Sequence, residues 1–301
     1  MSQEEQIRRR VLRAISLNRT PGYHFPGNFI DLSFDRVASD DTRVSYEAGE
    51  SDIGSLAVLA DFALGTAIRA DLDPATRLAT VSMTLELAAM PRPGTVSAAA
   101  RCHGFVGEGE GSIGRARVSI EEGGGEIGYG SGAFMVLKPP PNVTLYPVPH
   151  RKRGDPEPPV LEARDLAPDE LLILRRAEEA LQQQKQPFLR QFWGFLPEAA
   201  PGGAACVMPN GPHVGNRVGY VQGGILFGLA AATATAALPE TWRLSLMSAA
   251  FISPGDGPAL RAQASIVHQG QRSAVIRTEL TRSDGRRVLD VMSTHAASTT
   301  S

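Results

Sequence analysis

Two apolar stretches of the chain carry the residue types that could do chemistry. In residues 46–70 one acid, Asp61, stands inside a run of leucine and alanine, and residues 216–238 form a similar run that opens on Gln-Gly-Gly at 222–224. The first turn of a helix has free backbone N–H groups and a favourable dipole, and glycine lets a carbonyl oxygen approach them. A carboxylate supplies the other half of such chemistry, because it can attack a carbonyl or activate a water molecule.

Both stretches share one skeleton of glycines and polar residues. Each has a glycine three positions before a polar residue and a second glycine two positions after it, followed by a helix-like run. The corresponding pairs are Gly49 and Gly219, Asp52 and Gln222, Gly54 and Gly224, Leu59 and Leu229, and Asp61 and Ala231. Such self-similarity indicates an internal duplication in which each copy keeps only part of the candidate chemistry.

The rest of the chain divides into the same two halves. Each half begins with a polar amphipathic segment, continues through a strand into the apolar helix, and ends in about four strands with period-two alternation. We predict an N-terminal domain at 1–138, a proline-rich extended linker at 139–163 and a C-terminal domain at 164–301. A helix with so little polar surface is best buried by a curled antiparallel sheet, so the predicted fold class is α+β.

The composition limits the function classes. The 301 residues, 42% of them hydrophobic, are enough for two domains with sizeable cores. The 30 basic and 32 acidic residues nearly cancel, which argues against a nucleic-acid partner. Cys102 and Cys206 lack metal-ligand spacing, so we expect free thiols and no metal site. The charged N-terminal segment and the lack of an apolar run of about 20 residues predict a cytoplasmic protein without a membrane partner.

The duplicated motif resembles that of a known family. The chain is similar to double-hotdog members of the acyl-CoA thioesterase superfamily, above all the phenylacetate-degradation (PaaI-type) thioesterases, whose pattern is N-x-x-G-x-x-H-G-G followed by L-x-D. The second copy keeps Asn216, Gly219, Gly223 and Gly224, and the first keeps Gly49, Gly54 and Asp61. Gln222 and Ala231 replace the family's histidine and acid. The resemblance covers nearly the whole chain outside the linker and implies a tandem hotdog, each half a curled antiparallel sheet around a long central helix.

The resemblance implies that the two halves pair, which would combine the acid kept by the first copy with the glycine-rich helix start kept by the second. In hotdog enzymes the acid of one unit faces the helix start of the other, so Asp61 would meet Gln222, Gly223 and Gly224. Asp61 lies roughly 10 Å along its own helix from Gly54, so one helix alone could not readily supply both groups. We expect Asp61 to act as general base or nucleophile with its pKa raised by burial, while an amide of Gly223 or Gly224 polarises a thioester carbonyl.

Further positions complete the predicted site. The residues expected to orient water or substrate are Asn216, Gly219 and Gln222, with Ser82 or Thr84 as a water-holding hydroxyl. The opposite interface would join Ala231 with residues 52–54. Because it has no acid on its helix, we expect it to be inert.

The implied activity is hydrolysis of an acyl-CoA thioester to free acid and CoA at one composite site, without a cofactor other than the substrate's own CoA. One alternative is a non-catalytic acyl-CoA-binding protein, because the family histidine is replaced and one site is lost. Another is a hotdog hydratase or dehydratase, suggested by His-Phe-Pro-Gly at 24–27. His24 precedes the first strand instead of the central helix, so we do not expect it to act as a base. Association into a homo-oligomer is open.

Each candidate also has a structural interpretation. Asp61 could be a core acid bonded to nearby backbone, and Gly223 and Gly224 could serve only close packing. Asn216 could be a turn residue and Gln222 a helix cap. The basic segment at 150–154 could contact a CoA phosphate or simply be solvated.

Overall fold

The computed structural model describes residues 2–50, 52–74, 76–183 and 186–298. Met1 and residues 299–301, the outer ends of the two predicted domains, lie outside the described residues. The helices are α1 (Gln3–Asn18), α2 (Ile53–Arg69), α3 (Pro168–Gln182), α4 (Phe188–Trp193) and α5 (Gly223–Ala236), with 3-10 helices at Pro26–Ile30 and Ala163–Asp165. No helix in these ranges combines the length and the apolar composition that crossing a membrane requires.

Twelve antiparallel strands in the described ranges form one sheet. The strands before and after α2 are β1 (Ser33–Arg36), β2 (Thr42–Ala48), β3 (Arg77–Leu87), β4 (Gly94–Val106), β5 (Ile113–Glu122) and β6 (Gly125–Leu137). Those around α5 are β7 (Glu198–Ala200), β8 (Gly203–Pro209), β9 (Trp242–Phe251), β10 (Ala259–Gln269), β11 (Ser273–Arg282) and β12 (Arg287–Ala297). Each half thus has four strands after its long helix, as predicted, and two strands before it instead of one.

The strand order shows how the halves join. It reads β1-β2-β4-β5-β6-β3-β9-β12-β11-β10-β8-β7, so the second six strands repeat the first six in reverse. The central pair is β3 and β9, which run from Ser82 opposite Ala250 to Glu86 opposite Leu246. The two copies therefore share one continuous sheet.

The two long helices pack on the sheet and on each other. Helix α2 contacts β2, β4, β5 and β6, and α5 contacts β8, β10, β11 and β12. Both helix starts are capped by the polar residue that the duplication pairs. The Asp52 carboxylate accepts the Ser55 N–H at 2.6 Å, and the Gln222 side-chain oxygen accepts the Ile225 N–H at 3.1 Å. Such caps satisfy one of the free donors of a first turn and fix where each helix begins.

Helices α2 and α5 cross in opposite directions at very short range. A Cβ atom on Gly224 would lie 2.6 Å from the Ala57 carbonyl oxygen, and one on Gly228 would lie 2.8 Å from the Gly54 Cα atom. The crossing sets the start of α5 against the middle of α2. Gly224 therefore allows α5 to pack closely against α2, and this role does not depend on whether its amide also takes part in a reaction.

The linker runs along the first half. The Phe34 N–H donates to the Arg151 carbonyl at 2.7 Å, and the Arg151 guanidinium contacts the Asp31 carboxylate at 2.8 Å. Arg153 contacts Glu47 at 2.6 Å. These two arginines of the 150–154 segment are thus paired with carboxylates of the protein, and neither lines the cavity at Asp61 described below.

Candidate active site

Asp61 lies on α2, and its side chain faces the start of α5, where the two long helices cross. Its side chain is buried, and its Oδ2 atom accepts a hydrogen bond from the Gln222 Nε2 atom. The Gln222 Oε1 atom accepts the Ile225 N–H, so the amide orientation that points Nε2 at Asp61 is fixed from both ends. The structure thus brings together the acid of the first copy and the helix start of the second.

Gly223 and Gly224 are the first two residues of α5, and their N–H groups have no acceptor within the helix. A Cβ atom on Gly223 would lie 2.6 Å from the Thr80 Oγ1 atom and 3.0 Å from the Asp61 Oδ1 atom. The Gly224 N–H interacts with the Asp61 carboxylate. The helix start and the carboxylate thus meet at one point, and Gly223, which lines the cavity, leaves space beside both.

The hydroxyl beside Asp61 belongs to Thr80. Its Oγ1 atom donates to the Asp61 Oδ1 atom at 3.0 Å. Ser82 and Thr84, the residues predicted for this role, lie on the outer face of β3, where Thr84 contacts the Ser248 hydroxyl at 3.4 Å. The structure thus does not bring Ser82 or Thr84 to Asp61. The pairing register of β3 shifts between Thr80 and Ser82. This bulge interrupts the period-two alternation and turns Thr80 to the inner face.

Burial controls the protonation of Asp61. Removal from water raises the pKa of the carboxyl to about 7, because the charged form loses its solvation. The Thr80 hydroxyl and the Gly224 N–H act in the opposite direction, since both stabilise the charged form. A carboxyl with a pKa in this range exists in both forms at neutral pH, which suits a group that accepts and returns a proton.

A cavity of about 440 Å³ opens from Asp61 between the two halves. Helix α2, the first residues of β3, the end of β6, the loop before α5 and the end of β9 form its walls, and the linker contributes Leu145 and Val148. Its aromatic lining residues are Phe25, Phe62, Phe134, Tyr220 and Phe251. The cavity is large enough for a small-molecule ligand and joins Asp61 to an apolar wall.

Two other predicted residues shape the loop before α5. The Asn216 Oδ1 atom accepts the N–H groups of Val218 and Tyr220 at 3.0 and 3.2 Å, and the residue also borders the cavity. Gly219 has a φ of 81°, a left-handed conformation that favours glycine, and lies outside the cavity lining. Gly219 therefore makes the turn, and the structure does not place it with Asn216 in the cavity wall.

The opposite interface, at the start of α2, is filled. Ala231 is fully buried, and a Cβ atom on Gly54 would lie 2.7 Å from Phe195 and 3.2 Å from Trp193. The Asp52 carboxylate caps α2 and holds the Ser55 hydroxyl at 2.8 Å. Aromatic side chains thus fill the space beside Gly54 at the start of α2.

His24 lies apart from these groups. Its Nε2 atom is 3.2 Å from the Pro212 carbonyl oxygen, and burial lowers the pKa of its ring. It does not line the cavity at Asp61. The structure therefore does not bring His24 to Asp61.

Sequence comparison and structure comparison give different results. No protein-family profile and no curated protein sequence matches the chain. Solved structures resemble it along most of its length. A protein of unknown function with a hot dog fold from Alicyclobacillus acidocaldarius superposes with a TM-score of 0.52 and 11% identity, over 90% of this chain and 96% of its own.

Two further structures are similar over comparable lengths. A protein named as an oleoyl thioesterase from Lactobacillus plantarum gives a TM-score of 0.51 at 12% identity, over 86% of this chain and 97% of its own. The tesB protein of Mycobacterium avium subspecies paratuberculosis gives 0.50 at 17% identity, over 88% and 95%. At such identities the likeness establishes the fold alone. Together with the large antiparallel sheet, it identifies the chain as a hotdog-fold protein.

Proposed function

We propose that the protein is an acyl-CoA thioesterase with one composite active site between its two halves. The observation that carries the proposal is the meeting of Asp61 with Gln222 and the first turn of α5 at the end of a cavity. The likeness to a protein named as a thioesterase agrees with it. In this proposal the halves are tandem hotdog units, with α2 and α5 as their central helices.

The proposed reaction uses the two groups in complementary roles. The thioester carbonyl oxygen faces the N–H of Gly223, which lines the cavity and stabilises the negative charge that develops on that oxygen. The Gly224 N–H is engaged by the Asp61 carboxylate. Asp61 either takes the proton of an attacking water molecule or attacks the carbonyl carbon itself. The carbon–sulfur bond then breaks, the CoA thiolate leaves and takes up a proton, and water supplies the oxygen of the free acid.

Gln222 and Thr80 are positioning residues in this scheme. Both donate hydrogen bonds to the Asp61 carboxylate, so they hold its charged form in place beside the helix start. Asn216 orders the loop from which Gln222 projects.

The test is hydrolysis of a panel of acyl-CoA thioesters, followed by release of free thiol. We expect the wild-type protein to release thiol from at least one, and Asp61→Asn to lose about a hundredfold or more of kcat. Asp40→Asn, at an exposed position in a loop, is the matched control and should retain the wild-type rate. Equal rates for wild type and Asp61→Asn would overturn the proposed mechanism.

The same panel separates the other candidate functions. Tight binding of acyl-CoA without thiol release would identify a binding protein instead of an enzyme. Loss of enoyl-CoA absorbance without thiol release would identify a hydratase.

A further inference from the structure

The cavity continues from Asp61 along one face of α2. Phe62, Gly65 and Thr66 border it in turn, and Arg69 borders its far part. Arg69 lies eight positions after Asp61, which corresponds to about 12 Å along the helix axis. The cavity therefore has a carboxylate at one end and a guanidinium near the other, with apolar wall between them.

Two more arginines, Arg77 and Arg217, line the same cavity. The Arg69 Nη1 atom donates to the Thr76 carbonyl at 2.6 Å, and the Arg217 Nη1 atom donates to the Tyr146 carbonyl at 2.8 Å. The Arg77 guanidinium lies over the Tyr220 ring, 5.4 Å from its centroid. Within the described ranges, none of the three arginines forms an ion pair with a carboxylate.

This arrangement is costly for the protein alone. Burial lowers the pKa of Arg69 to about 9, and the charge of Arg217 acts in the same direction. Burial also lowers the pKa of Arg217. A partly buried cation without a counter-charge loses solvation, and neighbouring cations repel each other. By contrast, the linker residues Arg151 and Arg153 are both paired with carboxylates.

We propose that Arg69, Arg77 and Arg217 form an anion site that binds a phosphate or carboxylate group of the substrate. The planar guanidinium fork matches both groups, and charge-assisted hydrogen bonds to them are stronger than neutral ones. The inference rests on the proposed thioesterase function in one respect, namely that the bound molecule reaches from this site to Asp61. The anion belongs either to CoA or to the far end of an acyl chain.

Binding is measured on the Asp61→Asn background, so that slow turnover does not disturb the titration. The probes are a medium-chain acyl-CoA, the acyl-pantetheine thioester that lacks its phosphates, and an acyl-pantetheine thioester with a terminal carboxylate on the acyl chain. Calorimetry compares Arg77→Gln, Arg217→Gln and Arg69→Lys with Arg115→Gln, a control at an exposed position on β5. Thermal unfolding of each variant checks that it is folded.

We expect the cavity variants to weaken binding of an anionic probe by about tenfold to a hundredfold relative to the neutral thioester. The control should bind every probe as the parent does. A selective loss with acyl-CoA assigns the site to phosphate, and a selective loss with the terminal carboxylate assigns it to the acyl chain. Equal affinities in all folded variants, or equal losses for neutral and anionic probes, would overturn the anion site. Because binding is measured without turnover, this result is independent of the thiol-release test.

Discussion

Asp61 sets the pH dependence that the proposed activity should show. Burial raises the pKa of its carboxyl to about 7, and only the ionised form can accept a proton or attack a carbonyl. We therefore expect kcat/KM to rise with pH, to reach half its maximum near pH 7 and to level off above that value. A pH–rate profile for the best thioester of the panel measures this. A profile that is flat across the neutral range would argue against Asp61 as the titrating group.

Thr80 should tune this midpoint. Thr80→Val keeps the side-chain shape and removes the hydroxyl that donates to Asp61. The charged form then loses a hydrogen bond, so the pKa of Asp61 should rise further, by about one pH unit. Thr84→Val on the outer face of the same strand is the control and should leave the midpoint unchanged. If the two variants give the same profile, Thr80 does not act through Asp61.

Asp61 should also make the fold less stable as pH rises. Its pKa is about 7 in the folded protein and near 4 when unfolded, so between these values the unfolded chain binds fewer protons. The free energy of unfolding contributed by this group thus falls from about pH 4 to pH 7, by roughly 4 kcal/mol at most. Asp61→Asn cannot ionise. Urea denaturation at about pH 4 and at about pH 7 measures the free energy of unfolding of both proteins. Relative to wild type, the Asp61→Asn variant should be more stable at about pH 7 than it is at about pH 4.

The residues of the site differ in how far the sequence could predict them. The duplication aligned Asp61 with Ala231 and Asp52 with Gln222. Together with the pairing of units that the family resemblance implies, this complementary loss predicted which acid would meet which helix start. Thr80 was missed because a bulge changes the face to which a strand residue points, and alternation alone cannot locate a bulge. Asp61, Gly65 and Arg69 are spaced four residues apart, which places them on one face of a helix. This spacing could have indicated that Arg69 lies on the same side of α2 as Asp61.

At the scale of the elements, Gly223 and Gly224 should respond differently to an added methyl group. In Gly224→Ala the new Cβ atom meets the Ala57 backbone at 2.6 Å, so α2 and α5 must separate, at a cost of about 1–3 kcal/mol. In Gly223→Ala the new Cβ atom meets the Thr80 hydroxyl, at the end of a side chain that can move. The same Cβ atom would lie 3.0 Å from the Asp61 Oδ1 atom. We expect the first variant to lose stability and the second mainly to lose activity.

Urea denaturation and thiol release, measured on both variants, check this contrast. Gly49→Ala is the control, because no atom lies within 4 Å of its added Cβ position. The outcome that contradicts the geometry is a Gly224→Ala protein as stable as wild type. Full activity in Gly223→Ala would instead show that the space beside Asp61 is not used.

The elements themselves were largely predictable because each long helix has a cap, an apolar run and flanking strands of alternating pattern. The two short strands β1 and β7 were not predicted as separate strands. They have four and three residues, too few for alternation to be recognised. The polar start of each half is a helix, as expected, and α1 and α3 pack against each other, which the sequence did not indicate.

At the scale of the whole molecule, the two halves form one structural unit. One core cluster of buried residues includes Val11 near the beginning of the chain and Val291 near its end. The sheet passes from one half to the other through β3 and β9. Because the cavity at Asp61 has walls from both halves, neither half can form it alone.

Cleavage of the linker should therefore leave the protein assembled. A protease recognition sequence inserted after Gly154, in an exposed turn, would separate the halves covalently. Leu145 and Val148 would stay attached to the first half, so the cavity would keep its linker wall. We expect the cleaved halves to elute together in size-exclusion chromatography and to keep the thiol-release rate of the uncleaved insertion variant, because strand pairing and helix packing hold the interface together. Elution as two separate species would show that the linker, and not the shared sheet, holds the site together.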